Sequence, residues 1–278
     1  MIIDGKQIAQ EQLNIVKNKL QSLDISPTLM IIQVGDDYAS TTYIQRKINA
    51  CHATNITTKL VKLDEHAQEE TVIKLVQQAN LDLAIQAILI QLPLPQHINT
   101  PVILNTVLPS KDPDCLTYQN LGHFYLNPLQ AMMPPTTQAI MLALNATKTC
   151  LVGKKTLIVG FGLLVGKPIT IALTCHGTTT TICHRTTQHH HLVKAAQEAD
   201  IIISGTGKPD ILDPDWFKQG VIVIDVGICR DHRDKIRGDI DTEKAKQKAA
   251  FITATPGGIG PLTVACLISN ILKLSIHD

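Results

Sequence analysis

Apolar residues in this chain follow two alternating patterns. Short unbroken aliphatic runs occupy residues 28–34, 57–62 and 87–91, and read as strands. Between them, residues 40–54 and 70–79 carry apolar positions at helical spacing. The alternation resumes after Thr136 with a helix through Asn145 and a strand at 155–159. A glycine-rich turn and a helix at 165–174 follow, then a strand at 178–183 and a helix at 192–199. Strands at 201–204, 221–225 and 251–253 precede a closing helix at 262–274. Unbroken apolar runs indicate strands covered on both faces, as in parallel sheets, and right-handed crossovers turn such a series into a doubly wound α/β fold. Between the two series, Pro93, Pro95, Pro109, Pro113, Pro128, Pro134 and Pro135 predict a region of loops.

A length of 278 residues corresponds to about two domains. Apolar residues make up 44% and charged residues 18%, enough to build cores and to argue against disorder. Lys+Arg number 25 and Asp+Glu 24, so nothing electrostatic points to nucleic acid or a membrane surface. No apolar run reaches the ~18 residues of a spanning helix. The start, Met1 to Lys6, lacks the basic and apolar regions of a secretory signal. Seven scattered cysteines without a C-x-x-C indicate reduced thiols and a cytoplasmic protein.

Several segments carry candidate chemistry. In Gly160-Phe161-Gly162-Leu163-Leu164-Val165-Gly166 the third glycine of a dinucleotide fingerprint comes one residue late. A tight turn followed by a helix N-terminus with free N–H groups suits a phosphate; the alternative is a turn whose glycines serve packing alone. The next strand ends at Cys183-His184-Arg185, with no carboxylate for a ribose. A half-buried guanidinium there would need an anion such as a 2′-phosphate; a solvated loop arginine would not. Tyr43 and Lys47 are four apart and share a helix face after the Gly35-Asp36-Asp37 turn. A lysine in a desolvated cleft can exchange protons near neutrality, whereas an exposed one is ordinary. Gln91-Leu92-Pro93-Leu94-Pro95 ends a buried strand, where open α/β sheets place ligand groups. Lys111-Asp112-Pro113-Asp114 sets two acids in a loop, and Pro256-Gly257-Gly258-Ile259-Gly260-Pro261 allows close backbone approach to a flat ligand. His189, His190 and His191 are adjacent and do not converge on a metal.

Taken in order, these segments resemble the bifunctional methylenetetrahydrofolate dehydrogenase/methenyltetrahydrofolate cyclohydrolase family. The resemblance rests on Ser40-x-x-Tyr43-x-x-x-Lys47, Gln91 to Pro95, Lys111 to Asp114, residues 181–187, residues 224–228 and residues 256–263. It implies two three-layer α/β domains with a folate cleft between them, the second a Rossmann-like doubly wound parallel sheet. Residues 1–135 plus 262–278 would form the folate-binding catalytic domain and residues 136–261 the NAD(P)-binding domain. Lys47 would move protons, Tyr43 would pack on the folate rings, Gln91 would tune the lysine and Asp114 would hold the pterin edge. Ile90, Gln91, Leu92 and the loop Pro256, Gly257, Gly258, Ile259, Gly260 would line the folate. Gly160, Phe161, Gly162, Arg185 and Ile228 match cofactor positions, with NADP expected and NAD possible. The resemblance also implies a homodimer acting on one-carbon derivatives of tetrahydrofolate, with no metal. Alternatives are an NAD-dependent dehydrogenase without the cyclohydrolase, and a binding protein without turnover. The chain departs from the family pattern at Phe161-Gly162 (usually Arg-Ser), Cys115 (usually glycine), Pro135-Thr136-Thr137 (usually Cys-Thr-Pro) and Thr255 (usually valine).

Overall fold

The computed structural model describes residues 1–36, 38–230 and 235–276. Asp37 of the expected turn, and residues 277–278 of the expected first domain, lie outside the described residues. The elements run β1 (Ile2–Ile3), α1 (Gly5–Leu23), β2 (Thr28–Val34), α2 (Tyr38–Ala53), β3 (Thr57–Leu63), α3 (Glu69–Leu81) and β4 (Ala87–Ile90). Next come α4 (Thr100–Thr106), a 3-10 turn (Pro109–Lys111), α5 (Tyr118–Leu126), α6 (Pro135–Ala146), β5 (Lys155–Val159), α7 (Gly166–Cys175), β6 (Thr179–Cys183) and α8 (His189–Glu198). The chain continues through β7 (Ile201–Ser204), a 3-10 turn (Pro214–Trp216), β8 (Val221–Asp225), β9 (Cys229–Arg230) and β10 (Ile236–Arg237). It ends with α9 (Thr242–Ala245), β11 (Ala249–Thr253) and α10 (Ile259–Ser275).

Contacts divide the chain into two compact units, Met1–Ala9 with Thr136–Thr263, and Gln10–Pro135 with Val264–Asp278. The second unit holds a parallel sheet in the order β3-β2-β4. Alternation along β2 sends Leu29 and Ile31 to one face, where Val16, Leu20, Leu267 and Ile268 join them. Met30 and Ile32 go to the other face, among Val72, Val76 and Ile103. Both faces are covered, which is why the strand reads as an unbroken apolar run.

The first unit holds six strands in the order β1-β11-β8-β7-β5-β6, with every pairing parallel. Its core on one face joins Leu157, Val159, Ile202, Val221, Val223 and Ile252 to Leu192 and Ala196 of α8. β5 enters in the interior; β6 is added on one side, and β7, β8 and β11 on the other. The winding therefore reverses between β5 and β7.

Two expectations are corrected, and one element is new. Residues 1–9 belong with the six-stranded sheet, because Ile2 and Ile3 pair in parallel with Ile252 and Thr253. The stretch expected as loops contains α4, a 3-10 turn and α5. Asn99 caps α4 by accepting from Val102 N, with Pro101 in its first turn, and Thr117 caps α5 by accepting from Asn120 N. A proline at such a start is tolerated because that N–H would be unpaired anyway. Helix α1 was not anticipated; Asp4 begins it by accepting from Lys6 N and Gln7 N.

Two buried acids tie together the loops after β7 and β8. Asp225 accepts from the N–H groups of Gly227 (3.0 Å), Asp239 (3.1 Å) and Ile240 (3.0 Å). Asp239 Oδ2 accepts from Ser204 Oγ (2.6 Å) and from Thr206 N (2.7 Å) and Oγ1 (2.9 Å). Burial pushes the Asp225 carboxyl up to about 7 against its three donors, and the Asp239 charge adds to the rise. Asp225→Ala strands three N–H groups, each costing about 1–3 kcal/mol when buried and unmet, so the urea midpoint should fall. An acid whose folded pKa is raised stabilises the fold below its unfolded pKa and loses that contribution as pH climbs. Wild-type stability from this group therefore declines between its ordinary 3.8 and about 7. The loss on substitution should be greater at a pH of about 5 than about 8; urea titrations showing the reverse order would dismiss this account.

Candidate functional site

In the three-stranded sheet the winding also reverses, between β2 and β4, and the candidate residues gather at the carboxyl ends of these strands. Gln91 follows β4 directly, and its N–H donates to Ile32 O at 2.9 Å, which extends the ladder by one residue. Its side chain is aimed by Nε2 donating to Leu92 O at 2.7 Å. The Leu92–Pro93 bond is cis. Helix α2 follows β2 and carries Tyr43 and Lys47 one turn apart. Lys47 Nζ donates to Gln91 Oε1 at 3.1 Å.

The electrostatics follow from poor access to water. Burial lowers the pKa of Lys47, while the charge on Asp114, and to a lesser degree Cys51, pushes it back up. Burial pushes Asp114 up to about 6, opposed by Lys47 and reinforced by Asp112. The Asp114 side chain has no hydrogen bond or ion pair among the described residues. Burial also raises the Tyr43 phenol, and the Arg46 guanidinium, 5.7 Å above its ring, works against that rise. The arrangement joins an amine that gives up its proton more readily than usual to a carboxyl that holds its own more firmly. Ile90 lies inside the core cluster and Leu92 packs at its edge.

In the six-stranded unit the glycine turn follows β5, at the reversal of winding. Gly160 has φ +100, and a Cβ there would stand 2.7 Å from Gly205 O. A Cβ at Gly166 would collide with Gly160 O. These two glycines are needed for the turn to close, as the packing alternative required. Gly162 is different: a Cβ there would meet nothing within 4 Å. Gly162 stands ahead of α7 at the switch point, where open α/β sheets take their ligands. The helix start offers fewer free amides than expected, because Lys167 N donates to Gly162 O at 3.0 Å and Pro168 has no N–H. The Lys167 ammonium stands 5.9 Å over the Phe161 ring.

Phe161, Leu163, Leu164 and Ile228 are exposed around the ends of β5 and β8. Arg185 is exposed in the turn after β6, with no ion pair among the described residues, which corrects the half-buried guanidinium considered from sequence. Pro256 to Gly260 belongs to this unit, so it is not in the same compact unit as Lys47, Gln91 and Asp114. Gly258 is braced by Gly5, where a Cβ would collide with Gly258 O. The histidines of α8 pack on rings: His189 edge-on to Trp216 at 5.2 Å, and His190 against His191 at 4.0 Å.

Sequence reasoning missed Asp225, Asp239, Thr206 and Cys51. The one available signal was an acid, Asp225, closing an otherwise aliphatic strand.

The family model for the tetrahydrofolate dehydrogenase/cyclohydrolase catalytic domain matches residues 3–114, and that for the NAD(P)-binding domain matches residues 134–277. The bifunctional protein FolD of Hydrogenobaculum sp. is 38% identical over 273 residues, covering 98% of this chain and 97% of the relative. The solved structure of bifunctional FolD from Campylobacter jejuni is 36% identical, with a TM-score of 0.95 over 100% of this chain and 99% of that one. The FolD of Trypanosoma brucei, solved with NADP cofactor and inhibitor, gives 0.95 at 29% identity over 100% of this chain and 99% of that one. With both family models matched and relatives this similar along the full length, the chain belongs to the tetrahydrofolate dehydrogenase/cyclohydrolase family.

Proposed function

We propose that the protein oxidises methylenetetrahydrofolate to methenyltetrahydrofolate with NADP, then hydrolyses the product to formyltetrahydrofolate. The observation that carries this reading is the Lys47–Gln91 hydrogen bond beside Asp114, at the carboxyl edge of the three-stranded sheet. When bound, the nicotinamide supplies the hydride acceptor. Loss of hydride leaves a methenyl cation stabilised by the two folate nitrogens, so no protein nucleophile is required. In the hydrolysis, water attacks that cation. Lys47, as the neutral amine that burial favours, takes one proton of the water and returns it to the folate nitrogen as the carbon–nitrogen bond breaks, while the remaining hydroxyl proton leaves to solvent as the formyl C=O forms. Gln91 keeps the amine in place. Asp114 accepts from the pterin amine and ring N–H, and Tyr43, Ile90, Leu92 and residues 256–260 contact the folate. Gly160, Phe161, Gly162, Arg185 and Ile228 hold the cofactor. Seven free cysteines support a reducing, cytoplasmic setting. We also infer a homodimer, which sedimentation would measure.

A second reading is use of NAD. It is favoured by Phe161, 44% exposed, and Gly162 at the turn, which offer no polar side chain to a phosphate. Arg185 separates the two. Arg185→Ala should raise KM for NADP about tenfold to a hundredfold, the worth of a charge-assisted contact of about 1.5–3 kcal/mol, and leave KM for NAD nearly unchanged. Wild-type preference for NAD, or equal loss for both cofactors, would remove NADP from the assignment.

Lys47→Met keeps the length of the side chain and removes the amine. Hydrolysis of methenyltetrahydrofolate should drop about 10²–10⁴-fold with the fold intact. In the wild type, hydrolysis should rise with pH as the neutral amine accumulates. Near-normal hydrolysis by the variant, measured by loss of methenyl absorbance, would end the role given to this lysine.

Asp114→Asn replaces an acceptor with a donor facing a donor. Folate affinity should weaken about tenfold to a hundredfold while cofactor affinity holds. Because Asp114 protonates near 6, wild-type folate binding should also weaken as pH falls through that value. Calorimetric titration of both ligands checks both statements; matched losses would place Asp114 away from the pterin.

A further inference from the structure

Asn270 lies in α10 among Leu267, Ile268, Ile271 and Leu272, fully buried. Its Nδ2 donates to Pro113 O at 2.9 Å and to Met133 O at 3.0 Å. The same nitrogen is 3.9 Å from Cys115 Sγ. Its Oδ1 is buried and has no partner among the described residues. Stranding a buried amide oxygen is unfavourable, and an aliphatic side chain would suit this helix better. What the amide gains is a clamp on two distant carbonyls, one of them immediately before Asp114.

The rest of that loop is tied down from other directions. Lys111 Nζ donates to Ala79 O (3.1 Å) and Asp82 O (2.7 Å) at the end of α3. Asp112 Oδ2 accepts from Thr117 N (2.9 Å) and Asn120 Nδ2 (3.1 Å) at the start of α5. Cys115 stands at φ +55, a conformation that a residue with a Cβ holds only when its surroundings impose it. Asp114 is left with its carboxyl uncommitted, and the backbone beneath it rests on the Pro113 carbonyl.

We propose that Asn270 is a positioning residue for Asp114: by holding the Pro113 carbonyl against that of Met133, it fixes the carboxyl in its place beside Lys47 and so sets folate affinity. The proposal rests on the assignment of Asp114 to the folate. The charged and titratable groups around this carboxyl are Lys47 from α2 and Asp112 and Cys115 from its own loop; Cys51 acts on Lys47, and Lys273 from α10 acts on Cys115. If Asp114 drifts, Lys47 loses the negative charge that favours its ammonium form, and its deprotonation moves to lower pH.

Asn270→Leu keeps the size and removes both donors, and Asn270→Gln restores a donor on a longer arm. In Asn270→Leu, KM for methylenetetrahydrofolate should rise tenfold or more, against a much smaller change in kcat. The pH midpoint of hydrolysis should move down, and the dissociation constant for NADP should stay within twofold. Asn270→Gln should recover part of the folate affinity. Hydrogen exchange, which does not depend on activity, should quicken in residues 111–117 and not in the six-stranded sheet. If Asn270→Leu does not fold, Asn270→Ser is judged by the same criteria. Unchanged exchange in residues 111–117, or unchanged folate KM and pH midpoint, overturns the proposal. So does a parallel loss of folate and NADP affinity with no recovery in Asn270→Gln. Faster exchange in an enzyme whose wild type does not turn over folate would keep the clamp and reject the proposed function instead.

Discussion

Taking the Lys47 ammonium out of water is unfavourable, and the three-stranded unit is arranged around that fact. Among the described residues the amine pairs directly with the neutral Gln91 carbonyl oxygen alone. The opposing charge, Asp114, is itself half-buried and is held by its loop and not by a salt bridge to the lysine. Each group therefore moves the other back toward its ordinary pKa while burial moves both away. The result is an amine and an acid whose proton affinities approach one another, which is what a site must provide if it is to accept and return a proton at neutral pH.

The two sheets share a winding pattern. In each, a central strand gains its next neighbour on one side and the following one on the other, as β3-β2-β4 and β6-β5-β7 show. A reversal of this kind leaves a crevice at the carboxyl edge, because the following connections diverge to opposite faces. Gln91 and the helix carrying Lys47 stand at one such place. Gly160 and the Gly205–Thr206 turn stand at the other, with Asp239 gripping Thr206 through both its N–H and its hydroxyl.

How much of this was legible depended on whether a signal was local. Strands β2, β5, β7 and β8 were placed residue for residue, because runs such as Val221–Asp225 are buried throughout. Helix α8 was expected to start at Leu192 and starts at His189, since exposed histidines carry no apolar period. α1 was missed although Ala9, Leu13, Val16 and Leu20 recur at helical spacing; its polar residues outnumber them. Strand β1, two residues long, is too short to be seen without its partner, Ile252 and Thr253 at the far end of the chain. Motif order singled out Lys47, Gln91 and Asp114, which the fold brings together, and the glycine turn singled out Gly162. Asn270 and Asp239 left no local trace, for their partners are chosen by folding and not by neighbours in sequence.

The chain passes from one compact unit to the other within α1, near the start of α6, and again within α10. Neither unit is thus a continuous stretch of polypeptide, and this bears on how the protein is made. As a ribosome extends the chain, the three-stranded sheet is complete once β4 has emerged, yet one face still lacks Val264, Leu267, Ile268, Ile271 and Leu272. Those side chains arrive only after the whole six-stranded sheet has been synthesised. The unit closed last still lacks part of its cover through most of synthesis, with only α1 and α2 on that apolar face until α10 arrives.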